Sequence, residues 1–499
     1  MASKMKYTLL LLIAFSLVLF TITLVFFIVT SGQVPFDYGL TIDAGSSHSE
    51  VILFTWSEKS NGTSYVKQKD SCYKKNGIDD AGDNITETLN GLYPCVQSMV
   101  DKISPDSSGP FPLFLGATAG MRILNITAPS TADLIFKAIE KNFSMSNFNG
   151  RRLEVHPPRI LTGEEEGRFA WISANYLLTY IPPEKRQLMD EVPECGTIGI
   201  LDMGGASAQI AYQAMDQSQE YVEEEMLFGR KYNVRAFSNL CFGSDQGHER
   251  YLFSLLLGSP NQATITDPCA KGGPSVRRHG RSFVENPCLA TKGSQQSVDE
   301  KTEYVFQGAT NYDPKACREQ VEKIFNLDEC KRIFGDERCF KTDRSVKEGI
   351  IFYALSSYFY TTKVLPSFNS SDHVKSEEQL MKEIDEWCQL PWDDKKSKWE
   401  ESHANSLCFK QHFMVNTLKN IYHFNSTDWN RIHFSQKIGG QSLGWSLGFM
   451  LRETNQIPLQ DPKSPTVNLT WLILVTFFTG LVLLGSAVYY IRKRRSVNF

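Results

Sequence analysis

Two segments of this chain pair an aspartate with glycine and small hydroxyl residues. The first is Leu40-Thr41-Ile42-Asp43-Ala44-Gly45-Ser46-Ser47-His48-Ser49, and the second is Gly199-Ile200-Leu201-Asp202-Met203-Gly204-Gly205-Ala206-Ser207-Ala208-Gln209. Each runs apolar strand, Asp-x-Gly, small residues, apolar strand. A phosphate chain needs backbone N–H groups at close range, which glycines in a tight turn allow. A carboxylate at each turn suits a hard divalent cation, Ca²⁺ or Mg²⁺, with water completing the shell. Either turn alone reads as an ordinary hairpin, since Asp and Gly are turn formers. Two copies 159 positions apart, about one domain length, point instead to two related lobes facing one cleft.

Three further segments add chemistry. Thr162-Gly163-Glu164-Glu165-Glu166-Gly167 sets three carboxylates at a helix start. Acidic residues favour that position through the helix dipole, and one of them could also deprotonate a water for attack on phosphorus. Spacing does not choose among the three. Gly116-Ala117-Thr118-Ala119-Gly120-Met121-Arg122 is a strand-to-helix turn that could bring Thr118 and Arg122 to the same cleft. The aromatic set Tyr353, Tyr358, Phe359 and Tyr360 has core spacing, with one ring available to stack a base.

The elements that must position these groups follow from periodicity. Hairpins are expected at 38–56 and 197–212, a strand at 111–115, and helices at 131–142 and 168–178. Helices are also expected at 348–365, 377–387 and 412–422, and a glycine-rich turn at 439–449 enters another. Residues 258–297 read as polar loop. Strands alternating with helices indicate an α/β fold.

The ends and the composition bound the setting. Residues 7–29 and 471–491 are apolar runs long enough to span a bilayer as helices. Lys4 and Lys6 precede the first, and Arg492-Lys493-Arg494-Arg495 follow the second. The positive-inside rule then leaves tails 1–6 and 492–499 in the cytosol and the body outside. A cleaved signal peptide is the rival reading of the first run. Seven glycosylation sequons, at Asn61, Asn84, Asn125, Asn142, Asn369, Asn425 and Asn468, fall in that body. So do all eleven cysteines, for which an oxidising compartment makes disulfides the default. The net charge of −4 argues against a nucleic-acid partner.

Taken together, these segments closely resemble the five apyrase motifs of the CD39-like ecto-nucleoside triphosphate diphosphohydrolases. They fall at 42–48, 117–122, 162–178, 201–209 and 444–451. The resemblance implies two ribonuclease-H-like lobes of the actin/Hsp70/hexokinase kind, one from 36–162 plus 428–458 and the other from 163–427. It implies Glu166 as catalytic base, with Ser207 and Gln209 positioning the water. Asp43 and Asp202 would hold the hydrated Ca²⁺ or Mg²⁺, with Trp445 nearby. Ser46, Ser47, His48, Thr118 and the Gly204, Gly205, Ala206, Ser207, Ala208 and Gln209 turn would bind the nucleotide, and Tyr360 would stack the base.

The family's disulfide pattern implies Cys72–Cys95, Cys241–Cys288, Cys269–Cys317, Cys330–Cys339 and Cys388–Cys408, leaving Cys195 single. Glu164, Ala208, Ser442 and Phe449 depart from residues common in the family. The implied activity is hydrolysis of extracellular ATP, ADP, UTP and UDP to the monophosphate, tuning purinergic signalling from the plasma membrane. Association of copies through the membrane helices is compatible with two spans. A kinase of the same superfamily and a catalytically silent receptor are the competing classes. The first would need a phosphoacceptor pocket, and the second would fit a chain lacking Glu166 or Asp202.

Overall fold

The computed structural model describes residues 37–455, apart from 57–58, 61, 76, 80–84, 108–109, 183–195, 216–219, 290–297, 344–348, 370–375, 399–403 and 439. In the flanking segments only 14, 18, 21, 478–482, 484–485, 488–489 and 492 are described. Among the described residues no helix is long and apolar enough to cross a membrane. The two expected spans lie largely outside the described residues, as do Cys195 and the sequons Asn61, Asn84 and Asn468.

Two mixed sheets carry the fold. The first contains β1 (Asp37–Ala44), β2 (His48–Trp56), β3 (Lys67–Lys75), β4 (Phe111–Ala117), β5 (Leu153–Val155) and β6 (Arg159–Ile160), ordered β3-β2-β1-β4-β5 with β6 also on β4. Helices α1 (Ile85–Val100), α2 (Ala119–Thr127) and α3 (Pro129–Met145) belong to the same part of the chain. Leu40, Ile42 and Ala44 alternate onto a core with Leu92, Val96, Ile135 and Ile139 from α1 and α3. That is the period-two pattern of a strand meeting the apolar stripe of a helix.

After α4 (Gly163–Leu177) the pattern repeats with β7 (Gly199–Met203), β8 (Ser207–Gln213), β9 (Val222–Leu227) and β10 (Arg230–Leu240). The second sheet is ordered β9-β10-β8-β7-β14-β15, where β14 is Phe352–Ser356 and β15 is Ile432–Phe434. In both sheets the aspartate strand is central. β7 pairs antiparallel with its hairpin partner, as the Asp202↔Gln209 register records. On their other sides β1 and β7 pair parallel with the strand that follows the crossover, in registers Asp43↔Gly116 and Asp202↔Leu355.

A shared layer lies between the sheets. Ile52, Phe54 and Phe114 from the first meet Ile200, Ala211 and Val234 from the second across α4 and α10 (Trp445–Glu453). Phe169, Trp171 and Ile172 of α4 are fully enclosed there. Each contributes roughly 1.5–3 kcal/mol. The two helices approach closely because Gly448 has no side chain. A Cβ there would lie 2.1 Å from the Phe169 carbonyl oxygen. The Gly448 amide instead donates to Ser173 Oγ at 2.8 Å.

Several expectations need correction. The helix expected over 348–365 is in fact strand β14 followed by the short helix α7 (Ser357–Thr362). A strand buried between two parallel neighbours is apolar on both faces, so its sequence looks like a buried helix. The 258–297 stretch contains strands β11 (Thr264–Lys271) and β12 (Val276–His279) and helix α6 (Gly280–Glu285). The two strands flank β13 (Glu303–Ala309) in a third sheet whose outer edge is polar. The helix expected over 412–422 is α9 (Leu407–Asn416) continued by a π-helical turn, Thr417–Ile421, but it is not amphipathic, since α9 is buried all round except Lys410. β15 pairs parallel with β14, from Phe352↔Ile432 to Ala354↔Phe434. The expected helix at 377–387 is α8 (Glu377–Gln389). All five expected disulfides are present.

Candidate active site

One cleft gathers groups from both sheets. Asp43, Gly45, Ser46, Ser47 and His48 line it from the β1–β2 turn, Thr118 from the end of β4, and Asp202, Gly204 and Gly205 from the β7–β8 turn. Glu166, Ser356, Ser442 and Trp445 complete the inner wall. Of the residues singled out in the sequence, Ser207, Gln209, Ala206 and Ala208 lie behind this wall. Ala208 is fully enclosed, while Gln209 donates to Glu166 and Ser207 is linked to it through Gln209 and Arg122. Tyr360 does not line the cleft. It is 40% exposed, and its hydroxyl accepts a hydrogen bond from Gln436 Nε2.

The start of α4 separates the three glutamates. Thr162 Oγ1 accepts from the Glu165 amide at 3.1 Å, and Glu165 Oε2 accepts from the Thr162 amide at 3.0 Å. This reciprocal cap occupies Glu165, and Arg159 holds the same carboxylate at 2.8 Å. Glu164 is half-buried and faces a different cavity. Glu166, one residue on, points into the cleft and is 9% exposed.

Around Glu166 the contacts are polar and convergent. Arg122 Nη2 donates to Glu166 Oε2 at 2.7 Å and to Ser207 Oγ at 2.9 Å. Gln209 Nε2 donates to Ser207 Oγ at 2.6 Å, and lies 3.3 Å from Glu166 Oε2 and 3.2 Å from Ser238 Oγ. Gly163 makes this closeness possible. A Cβ there would meet Ser238 Oγ at 2.0 Å and Arg122 Nη1 at 2.9 Å. Burial pushes the Glu166 carboxyl up to about 7, against the opposing pull of Arg122. A carboxylate that changes charge near neutrality is poised for general-base work.

Burial also raises Asp43, well above the usual carboxylate range, and Asp202. Asp202 Oδ1 is enclosed without a hydrogen-bond partner. Two desolvated carboxylates on one cleft, one with an idle oxygen, have the donor chemistry a hard cation takes. Among the described residues no cluster of three or more His, Cys, Asp or Glu side chains could cage an ion. The donor set therefore fits a cation whose other ligands are water and phosphate oxygens.

Trp445 reaches Asp43 because β4 carries Gly116 beside it. A Cβ on Gly116 would lie 2.3 Å from the indole ring. His48 stacks on Tyr73 at 4.8 Å, and burial lowers its proton affinity.

Ser356 is a cleft residue that the sequence did not reveal. It ends β14 beside Met203, with φ of 55°. That conformation is costly for a residue with a Cβ and marks functional sites. Its hydroxyl lowers the proton affinity of Asp202, partly offsetting burial. Nothing in its sequence context signalled this, because the segment read as helix. Glu50 and Gln68 also line the cleft, and neither carries a local motif.

The model of the GDA1/CD39 (nucleoside phosphatase) family matches residues 33–466. The chain belongs to the GDA1/CD39 family. Among its GDA1/CD39 relatives, human ectonucleoside triphosphate diphosphohydrolase 3 is 30% identical over 464 residues, covering 90% of this chain and 84% of that one. Ectonucleoside triphosphate diphosphohydrolase 2 of Gallus gallus is 31% identical over 478 residues, 93% of each chain. A crystal structure of nucleoside triphosphate hydrolases from Neospora caninum shares the fold. Its TM-score is 0.56 at 13% identity, covering 84% of this chain and 92% of that one.

Proposed function

We propose that this protein hydrolyses nucleoside tri- and diphosphates to the monophosphate and inorganic phosphate, by in-line attack of a water that Glu166 deprotonates. The observation that carries this reading is the buried Glu166 carboxylate, held by Arg122 and flanked by Ser207 and Gln209, on one cleft with Asp43 and Asp202. Ser207 Oγ and Gln209 Nε2 are the groups within reach to orient the water. Ser46, Ser47 and His48 take phosphate oxygens on one side and the β7–β8 turn does so on the other. Within that turn the Gly204 amide is already committed to Ser207 O at 3.0 Å, so the Gly205 and Ala206 amides are assigned to phosphate. Tyr360 is assigned to the base and Trp445 to the cation side of the cleft.

Asp43 and Asp202 would hold Ca²⁺ or Mg²⁺. When bound, the cation supplies charge neutralisation for the phosphate chain. The two sheets are read as ribonuclease-H-like lobes. The ectodomain is assigned to the cell exterior between two membrane spans, with nucleotides such as ATP, ADP, UTP and UDP as substrates. The relatives' names and the apolar ends support that placement.

Glu166→Gln tests the reading. Phosphate release from ATP by the full-length protein should fall by roughly 10²–10⁴-fold, the worth of a general base, with folding intact. Unchanged turnover would remove Glu166 from the role. Excess EDTA should likewise abolish turnover, and persistence would remove the two aspartates from theirs.

A further inference from the structure

A second cavity, of about 300 Å³, opens behind the Glu166 cluster. Its walls are Arg122, Ile160, Leu161, Thr162, Gly163, Glu164, Ser238 and Leu240, none of which lines the nucleotide cleft. What divides the two spaces is the 2.7 Å contact between Arg122 and Glu166, backed by the Gln209–Ser238 contact. The arginine is therefore a cation with one side on the reacting cluster and the other in a separate, open cavity. Its Nε–H is enclosed without an acceptor, so the guanidinium is not fully committed to Glu166 and Ser207.

We infer that this second cavity is the route by which inorganic phosphate leaves, with Arg122 as its gate. The inference rests on the hydrolysis proposed above. In that reaction water oxygen bonds to the terminal phosphorus, the bond to the leaving diphosphate breaks with its electron pair, and the water proton passes to Glu166. The product phosphate is then boxed in. The nucleotide occupies the front of the cleft, and Ser207, Gln209 and Glu166 stand behind.

The same step neutralises Glu166 and so removes the negative partner of Arg122 as a new anion appears beside it. Arg122 exchanges carboxylate for phosphate, which charge-assisted bidentate pairing favours. A small rotation then carries the ion to the far side. Glu164 at the cavity wall repels the phosphate onward to solvent.

Full-length protein with ATP and Ca²⁺ provides the test. Rapid quench measures phosphate formed in the first turnover, and a fluorescent phosphate sensor measures phosphate released. Ile160→Trp plugs the cavity without touching the Glu166 cluster, and Glu164→Lys gives its wall a retaining charge. In each variant formation should keep its rate while release slows at least fivefold, so that a quench burst precedes the sensor signal. Glu164→Lys should also bind inorganic phosphate as a product inhibitor several-fold more tightly. If Ile160→Trp does not fold, Glu164→Lys alone decides. Release unchanged, or slowed only in step with formation, overturns the exit route. Absence of phosphate formation in the unaltered protein overturns instead the hydrolase reading on which it rests.

Discussion

Replacing Arg122 with Gln removes the charge that holds Glu166 ionised while keeping a polar side chain in place. The intact carboxyl titrates at about 7, with Arg122 opposing the effect of burial. At pH 7.4 about 0.7 of the molecules then carry the ionised base. Each tenfold loss of acidity cuts that fraction, first to about 0.2 and then to about 0.02. The rate at pH 7.4 should therefore fall roughly 4- to 30-fold from ionisation alone, and recover as pH is raised toward 9.

Stability should move the other way. A carboxyl raised in the folded state keeps a proton that the unfolded chain gives up, so stability declines as pH climbs above the ordinary value of 4.5. Suppressing the ionisation further costs less than about 1 kcal/mol at pH 7.4 but about 1–2 kcal/mol at pH 9. Phosphate release and thermal unfolding, each measured from pH 6 to 9, give the two curves. An acidic limb of the rate profile at the same pH in the variant and the unaltered protein would refute the electrostatic role of Arg122.

Other perturbations follow from single contacts. Gly116→Ala places a methyl 2.3 Å from the Trp445 ring. Overpacking of this kind costs about 1–3 kcal/mol, so a lowered melting temperature and a changed tryptophan emission are expected, and an unaltered spectrum would count against the contact. Thr162→Ala deletes the cap of α4 and should lower stability by about 1 kcal/mol, measured by denaturant titration. Asp43 and Asp202 must shed protons to take a cation, since burial raises both. Calcium affinity should therefore rise with pH, with proton release visible by calorimetry in buffers of different ionisation enthalpy. An affinity flat with pH would refute this assignment.

Much of the site was legible because its residues are local. The two Asp-x-Gly turns are short hairpins whose apolar flanks and glycines fix both strand and turn, and β1–β2 and β7–β8 stand where those patterns predict. The choice among Glu164, Glu165 and Glu166 was not legible from spacing. It depends on which carboxylate closes the Thr162 cap, and helix geometry then aims the other two differently. The family resemblance implies Glu166, and of the three it is Glu166 that lines the cleft.

Ser356 stayed hidden for a different reason. β14 is covered by β7 and β15 on either side, and a strand buried on both faces loses the alternation that distinguishes it from a helix. The third sheet was missed because polar residues occupy its exposed positions. Arg122 was expected beside Thr118 on the same cleft, but Thr118 lines the cleft and Arg122 the cavity behind it. The partners of Arg122, Glu166 and Ser207, lie 44 and 85 positions away, beyond any local pattern.

The disulfides carry a mechanical consequence. Cys72–Cys95 ties β3 to α1 beside the first sheet, and the other four pairs all fall between Cys241 and Cys408, around the second. Among the described residues none joins one half of the cleft to the other. Covalent stiffening is thus applied within each jaw and withheld from the joint between them. Resistance to heat and proteolysis can be gained without friction on the opening stroke. The halves meet instead through the non-covalent α4–α10 packing, so reduction of the disulfides would loosen each half without uncoupling one from the other.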